Sequence, residues 1–377
     1  MRVALTHDYL REYGGAERVL EVLHEMFPEA PLYTAYYNPG ALGPHAKNFQ
    51  GWDIRTSWFQ RMPFANQLLS PFRVFAPLIF ESFDLSEYDL VISSSSAVYF
   101  AKSVITKPET LHISYIHTPP RFLYGYTTSF NYKKNPIIRV FAEIVNHFLR
   151  IWDFEVSQRP DILVGNSENV VKRINKFYRR EAVVLYPPVK LQEFVQGRTL
   201  KKVRPYEKKY FLALNRLVRG KGTEVIVEAA TELNLPLKVA GTGPEMERLK
   251  KVAGKNVEFL GWVSDEERVS LLQGAKALIV ASEDEDFGIT SVEAQAAGTP
   301  VIAPRAGGYL ETVVEGRTGI FYGGPGQVTV EALVEALKTF NPKDFNPENC
   351  KKNAEKFSKE RFKKKFMEIV EKNLTKS

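Results

Sequence analysis

Cysteine is almost missing: Cys350 is the only one in 377 residues, so no intrachain disulfide can form and a cysteine-based metal site is excluded. A reducing cytoplasm is the compartment this composition fits. Long apolar runs are missing as well. Stretches such as Phe75 to Phe80 fall far short of the roughly 20 residues that cross a bilayer. The opening MRVALTHDYL has an apolar stretch of three residues before His7 and Asp8, too short for a signal-peptide core. A cytoplasmic location is the expectation. There is no low-complexity tract and no short-period repeat. Neither sign of charge dominates: 51 basic against 44 acidic residues leave +7. That surplus favours an anionic partner such as nucleotide phosphates, anionic lipid or nucleic acid. No helix-turn-helix, zinc-finger or RNP signature accompanies it, which ranks a nucleic-acid-binding protein low.

What is present describes a globular α/β protein. Hydrophobic residues make up 44% and charged residues 25%, and the length exceeds what one core usually supports, so two domains are expected. Met1 to Thr6 reads as a strand, and Val19, Leu20, Val22, Leu23, Met26 and Phe27 have helical spacing. Asp89 to Ser93, Leu111 to Ile116 and Ile162 to Gly165 are further strands. The alternation restarts after Tyr186-Pro187-Pro188 and a basic stretch from Gln196 to Lys209, read as the linker. Strands at Tyr210 to Leu214, Leu237 to Ala240, Val257 to Leu260, Ala277 to Val280 and Pro300 to Ala303 then alternate with helices at Gly222 to Leu233, Pro244 to Val252, Asp265 to Gln273 and Ser291 to Ala297. Such alternation implies parallel sheets covered by helices, with ligands beyond the carboxyl ends of the strands. The tail from Cys350 to Ser377 carries ten Lys or Arg against four Glu, with Phe357, Phe362, Phe366, Ile369 and Val370 on one side of a docked helix.

The most informative segment runs from Ser282 to Gly308. A strand ends in the carboxylates Asp284, Glu285 and Asp286, followed by Phe287-Gly288 and a helix expected to open near Thr290 or Ser291. A helix start offers unpaired N–H groups and partial positive charge, which bind phosphate, and Gly288 permits close approach to the backbone. Glu285 and Glu293, the latter placed in the first helical turn, would flank a phosphate and meet sugar hydroxyls. Read without a ligand, Ser291 caps the helix and Glu293 favours its positive end. Asp284 and Asp286 form a D-x-D pair that could hold a divalent cation against a diphosphate. Arg216 and Lys221, at the end of the Tyr210 to Leu214 strand, offer positive charge in place of that metal.

Gly14-Gly15-Ala16-Glu17 follows the first strand and precedes the first helix, where glycines let a phosphate or sugar reach the backbone. It is not the G-x-G-x-x-G fingerprint, which argues against a dehydrogenase. Gly241-Thr242-Gly243-Pro244 shapes a nucleotide-base pocket or is a simple turn. His117 stands at a strand end beside Thr118 and Arg121, with no second histidine at zinc-ligand spacing. Trp58 to Phe80 and Phe130 to Trp152 mix large apolar residues with Arg61, Arg73, Lys133, Lys134, Arg139 and Arg150. Such segments suit either core helices or an anionic membrane surface.

Jointly these motifs resemble glycosyltransferase family 4, whose members have the GT-B fold. The resemblance rests on Glu285 to Glu293 as an E-x7-E pattern with internal Phe287-Gly288, on Arg216 and Lys221 as the R…K pair, on Gly14-Gly15-Ala16-Glu17, and on Asn166-Ser167. His117, Thr118, Pro119 and Arg121 are similar to the HTP-x-R segment of mannosyltransferase-like members. The resemblance implies two Rossmann-like domains with parallel sheets facing across a cleft: an acceptor-binding domain at 1–190, a donor-binding domain at 206–350, and a C-terminal helix at 351–377 returning to the first. It implies a retaining transfer with no metal or other cofactor. In it Arg216 and Lys221 hold the donor diphosphate, Glu285 the sugar and Glu293 the ribose. Gly14, Gly15, Gly241, Phe287, Gly288, Ile289 and Thr290 complete the donor site. His117 positions the reacting sugar, and Asp8 and Arg121 face the acceptor. GDP-mannose as donor and a saccharide or lipid-linked saccharide as acceptor are the first choice. A UDP- or ADP-sugar transferase and a nucleotide-sugar epimerase are the alternatives.

Overall fold

The computed structural model describes residues 1–96, 100–128, 136–195 and 209–374. The linker expected from Gln196, and the cations Lys133 and Lys134, lie outside the described residues. The chain divides into two compact units, one of Met1–Tyr126, Asn131–Pro188 and Glu360–Ser377, the other of Thr127–Phe130 and Val189–Lys359.

The first unit is built on seven parallel strands: β1 (Val3–His7), β2 (Leu32–Thr34), β3 (Ile54–Thr56), β4 (Leu90–Ser95), β5 (Leu111–Ile116), β6 (Ile162–Gly165) and β7 (Val183–Val184), in the order β3-β2-β1-β4-β5-β6-β7. β4 and β5 are buried along their whole length, as expected of central strands covered on both faces. Their register fixes what meets at the carboxyl ends. His7 pairs with Ser94, and Ser95 with Ile116, so His117 emerges beside both.

One face of this sheet is covered by the helix Gly15–Met26 through Val19, Leu20 and Leu23, together with Phe362, Phe366 and Val370 of the helix Lys359–Leu374. Each side chain so buried contributes about 1.5–3 kcal/mol of hydrophobic transfer. The tail is therefore not one helix. It breaks into Pro347–Ala354, a turn at Glu355–Phe357 and Lys359–Leu374, because Phe357 is drawn onto Phe287 of the second unit while Phe362 and Phe366 fill the first. On the other face, residues 59–80 and the helix Pro136–Val156 share one apolar cluster containing Phe59, Ile79, Phe80 and Leu149. Their outward sides stay apolar: Phe64, Phe75 and Leu78, then Val140, Phe141, Ile144, Phe148 and Ile151, are exposed. Among the described residues no helix is long and apolar enough to cross a membrane.

The second unit has six parallel strands, β8 (Tyr210–Leu214), β9 (Leu237–Ala240), β10 (Val257–Gly261), β11 (Ala275–Ile279), β12 (Val301–Pro304) and β13 (Gly319–Tyr322), in the order β10-β9-β8-β11-β12-β13. Both sheets thus reverse their strand order once, between β1 and β4 and between β8 and β11. That is where an open parallel sheet leaves a crevice beyond its carboxyl ends.

Candidate active site

At the switch point of the second unit, the loop after β8 carries Arg216 to Lys221 and the loop after β11 carries Ser282 to Gly288. Lys221 Nζ donates to Glu285 Oε2 at 2.8 Å, with the two side chains 30% and 17% exposed. Two residues read separately from the sequence are thereby joined. Tyr309, which the sequence reading missed, donates its hydroxyl to the same oxygen at 3.4 Å. Burial first, and then the Glu285 charge, hold the Tyr309 hydroxyl well above its ordinary pKa. Arg216 is exposed at the end of β8.

The acidic loop is clamped from behind. Gly308 N–H donates to the Glu285 carbonyl at 2.8 Å, and a Cβ on Gly308 would lie 2.4 Å from Phe287 Cα. Only glycine allows that approach. Gly241, at φ +135°, would place a Cβ 1.9 Å from the Asn215 carbonyl oxygen. It therefore packs the loop after β9 against the loop that carries Arg216.

The helix after the acidic loop is Ile289–Ala296, with Gly288 at its N-cap at φ +88° and no side-chain cap. This corrects two expectations. Ser291 does not cap the helix, because the αL conformation of Gly288 starts it earlier, with Ile289 and Thr290 in the opening turn. Glu293 is the fifth helical residue and lies outside the first turn. It is 2% exposed and pairs with Arg268 at 2.9 Å. Phe287 is buried against Phe357. Asp284 and Asp286 are half-buried, and among the described residues no three His, Cys, Asp or Glu side chains group as a metal site.

In the first unit, Gly14 is the N-cap of Gly15–Met26, and its N–H donates to Glu17 Oε2 at 2.7 Å. Glu17 Oε1 faces His7 Nε2 at 3.5 Å. His7 Nδ1 lies 3.1 Å from both the carbonyl and the hydroxyl of Ser94, whose hydroxyl is 2.9 Å from His117 Nε2. Burial, with His7 nearby, lowers the His117 pKa to about 3, so its imidazole is neutral. Asp8 is buried, accepting from Ala101 N–H at 2.8 Å and from the Ser96 hydroxyl at 2.9 Å. It braces the loops after β1 and β4. Arg121 is half-buried in the turn after β5. A second buried cluster, Lys102 with Asp153 at 2.5 Å and the hydroxyl of Tyr124 on the same carboxylate at 2.8 Å, ties the Ala101–Ser103 turn to the helix Pro136–Val156. None of His7, Glu17, Ser94 or Lys102 had been singled out as a site residue, since their contacts arise from strand register and not from spacing.

Two parallel-sheet Rossmann-like units of seven and six strands define the GT-B class of fold. The chain aligns over its full length with sucrose-phosphate synthase from Thermosynechococcus elongatus, covering all of that chain at 17% identity with a TM-score of 0.73. It also aligns with the Anabaena protein HepE solved with UDP and glucose, over 98% of this chain and 99% of that one, at 17% identity and a TM-score of 0.69. Residues 198–357 match the family of group 1 glycosyl transferases. Among curated relatives, it is 29% identical to a D-inositol 3-phosphate glycosyltransferase of Corynebacterium urealyticum over 58% of each chain. It is 26% identical to an alpha-1,3/1,6-mannosyltransferase of Dictyostelium discoideum over 63% of this chain and 64% of that protein. The match thus spans less than two thirds of either relative's length.

Proposed function

We propose that this protein is a retaining, metal-independent glycosyltransferase that moves a hexose from a nucleotide-sugar to a saccharide or lipid-linked saccharide acceptor, with mannose from GDP-mannose the first choice. The observation that carries it is the Lys221–Glu285 pair at 2.8 Å beside the uncapped start of the helix Ile289–Ala296. A cation and a helix N-terminus on one side stabilise a diphosphate, and a carboxylate next to them accepts sugar hydroxyls. Arg216 supplies the second cation. Glu293 reaches the ribose by exchanging its bond with Arg268 for the ligand. His117, with Gly14 and Gly15, serves the sugar, and Arg121 with the braced Asp8 loop serves the acceptor. The bond from sugar C1 to the diphosphate breaks, the acceptor oxygen bonds C1 on the same face, and its proton passes to the leaving phosphate oxygen. Thermal-shift measurements with GDP, UDP, ADP and their sugar conjugates test the donor, because a ligand bound only by the folded state raises its apparent stability. A shift with GDP and GDP-mannose is expected. A shift with UDP or ADP species alone replaces the donor, and no shift with any of them overturns the assignment. Product release without an acceptor would instead favour an epimerase.

A specific observation favours a membrane-facing role. Phe141 and Phe148 are 69% and 65% exposed on the helix Pro136–Val156, and residues 58–80, on the same core, hold Arg61 and Arg73 with no acidic residue. This composition fits the inner, anionic face of a membrane. Co-sedimentation with anionic but not zwitterionic vesicles, lost in Phe141→Ser/Phe148→Ser, is expected. Equal retention of both proteins removes this role.

A further inference from the structure

Polar groups buried at the carboxyl ends of β1, β4 and β5 line up from the glycine loop to His117, hydrogen-bonded except between Glu17 and His7, which face each other at ion-pair distance. Gly14 N–H donates to Glu17, Glu17 faces His7 Nε2 at 3.5 Å, His7 Nδ1 lies 3.1 Å from the Ser94 carbonyl and hydroxyl, and the Ser94 hydroxyl lies 2.9 Å from His117 Nε2. His7 and Ser94 are fully buried, and Glu17 is nearly so.

The direction of these bonds follows from donor and acceptor chemistry. A carbonyl oxygen can only accept, so His7 Nδ1 carries a proton toward Ser94. Nδ1 then has no lone pair for the Ser94 hydroxyl hydrogen. The partner left to that hydrogen is His117 Nε2, and a buried hydroxyl whose hydrogen finds no acceptor is disfavoured. Ser94 therefore donates to His117 Nε2. In a neutral imidazole the other nitrogen, Nδ1, must hold the single proton.

We propose that Glu17, His7 and Ser94 are positioning residues that lock His117 as its Nδ1–H tautomer and fix its ring, so that His117 presents one hydrogen-bond donor, and no acceptor, to the ligand. The low pKa of His117, about 3, agrees with a ring that stays neutral while this bond is made. The functional meaning rests on the glycosyltransferase reading: an N–H donor at that place suits a sugar hydroxyl oxygen. The tautomer itself does not depend on it.

The test is long-range ¹H–¹⁵N spectroscopy of protein labelled with ¹⁵N at its six histidines, with His117 assigned by its loss in His117→Gln. The expected wild-type signature is a protonated Nδ1 and a bare, pyridine-like Nε2. Ser94→Ala should release the ring to the Nε2–H form or a mixture, and Ser94→Thr, which keeps the hydroxyl, should preserve the native pattern. In parallel, kcat should fall about 10- to 100-fold in Ser94→Ala through lost orientation and recover in Ser94→Thr. A wild-type ring protonated at Nε2 overturns the proposal whether or not any variant folds, and so does a Ser94→Ala ring that keeps the native tautomer. If the spectra are as expected but no nucleotide-sugar binds or reacts, it is the glycosyltransferase assignment that fails.

Discussion

Lys221 Nζ reaches Glu285 Oε2 across 64 residues of sequence at 2.8 Å. Parallel strand order makes the meeting unavoidable: β8 and β11 are neighbours at the point where the second sheet reverses, so the loops leaving their carboxyl ends share one crevice.

From this pair, Lys221→Ala and Glu285→Ala should each lower kcat/KM for transfer by about 10²- to 10³-fold, as expected for removal of a group that stabilises charge in the transition state. Both side chains are partly exposed, so cooperative unfolding should persist. The double variant should lose much less than the sum of the two in free energy, since the two side chains are bonded to each other and each single change already breaks that bond. Steady-state kinetics beside thermal melts check this. Wild-type-like turnover in either single variant removes the pair from the site.

Gly308→Ala gives a second handle on the same loop. Its Cβ would meet Phe287 Cα at 2.4 Å, so the acidic loop must shift and Glu285 with it. Transfer should fall at least tenfold, on the scale that roughly 1 Å of misplacement costs, while circular dichroism stays native.

Under the proposed function, in which Arg216 and Lys221 take the place of a metal at the donor diphosphate, chelation should leave transfer unchanged. Asp284→Asn and Asp286→Asn should be active without added cation. Loss of activity in EDTA, restored by Mn²⁺, would instead give those two carboxylates a metal.

Stability should fall on mild acidification. Burial lowers the pKa of both His112 and His117 to about 3, against about 6.5 in the unfolded chain. Between those values the unfolded state binds protons that the folded state refuses, so stability is intact above pH 6.5 and declines as pH drops toward 3. Each histidine contributes a slope of about 1.4 kcal/mol per pH unit in that window. Denaturant titrations from pH 7 to 4 measure it, and His112→Gln should flatten the slope by one proton.

Much of this architecture was legible in the sequence. β5, β6, β8 and β9 were read at their observed bounds because each is a short β-branched or apolar run closed by polar residues. β2, β3 and β7 were missed, being only two or three residues long and too short to show a period, and the four-residue edge strand β13 was missed as well. Glu293 was placed one turn too early because Ser291 looks like a cap, while the glycine before it starts the helix by backbone conformation. The Glu17–His7–Ser94 chain was invisible because its residues come together through register across β1 and β4, 87 positions apart. The tail's amphipathic pattern was recognised, but its apolar residues serve two cores, and a helical wheel cannot show the turn at Glu355–Phe357 that divides them.

That division bears on how the protein is made. The first unit's core includes Phe362, Phe366 and Val370, whereas Val189–Lys359 of the second unit is one unbroken stretch. On the ribosome the segment synthesised first must wait for the last to emerge before its apolar face is covered, while the later segment already has nearly all of its own contacts. The nascent chain should therefore complete its second half before its first, reversing the usual amino-to-carboxyl order. A stall before residue 360 would leave the Gly15–Met26 helix with one apolar side bare, which is where a chaperone would bind.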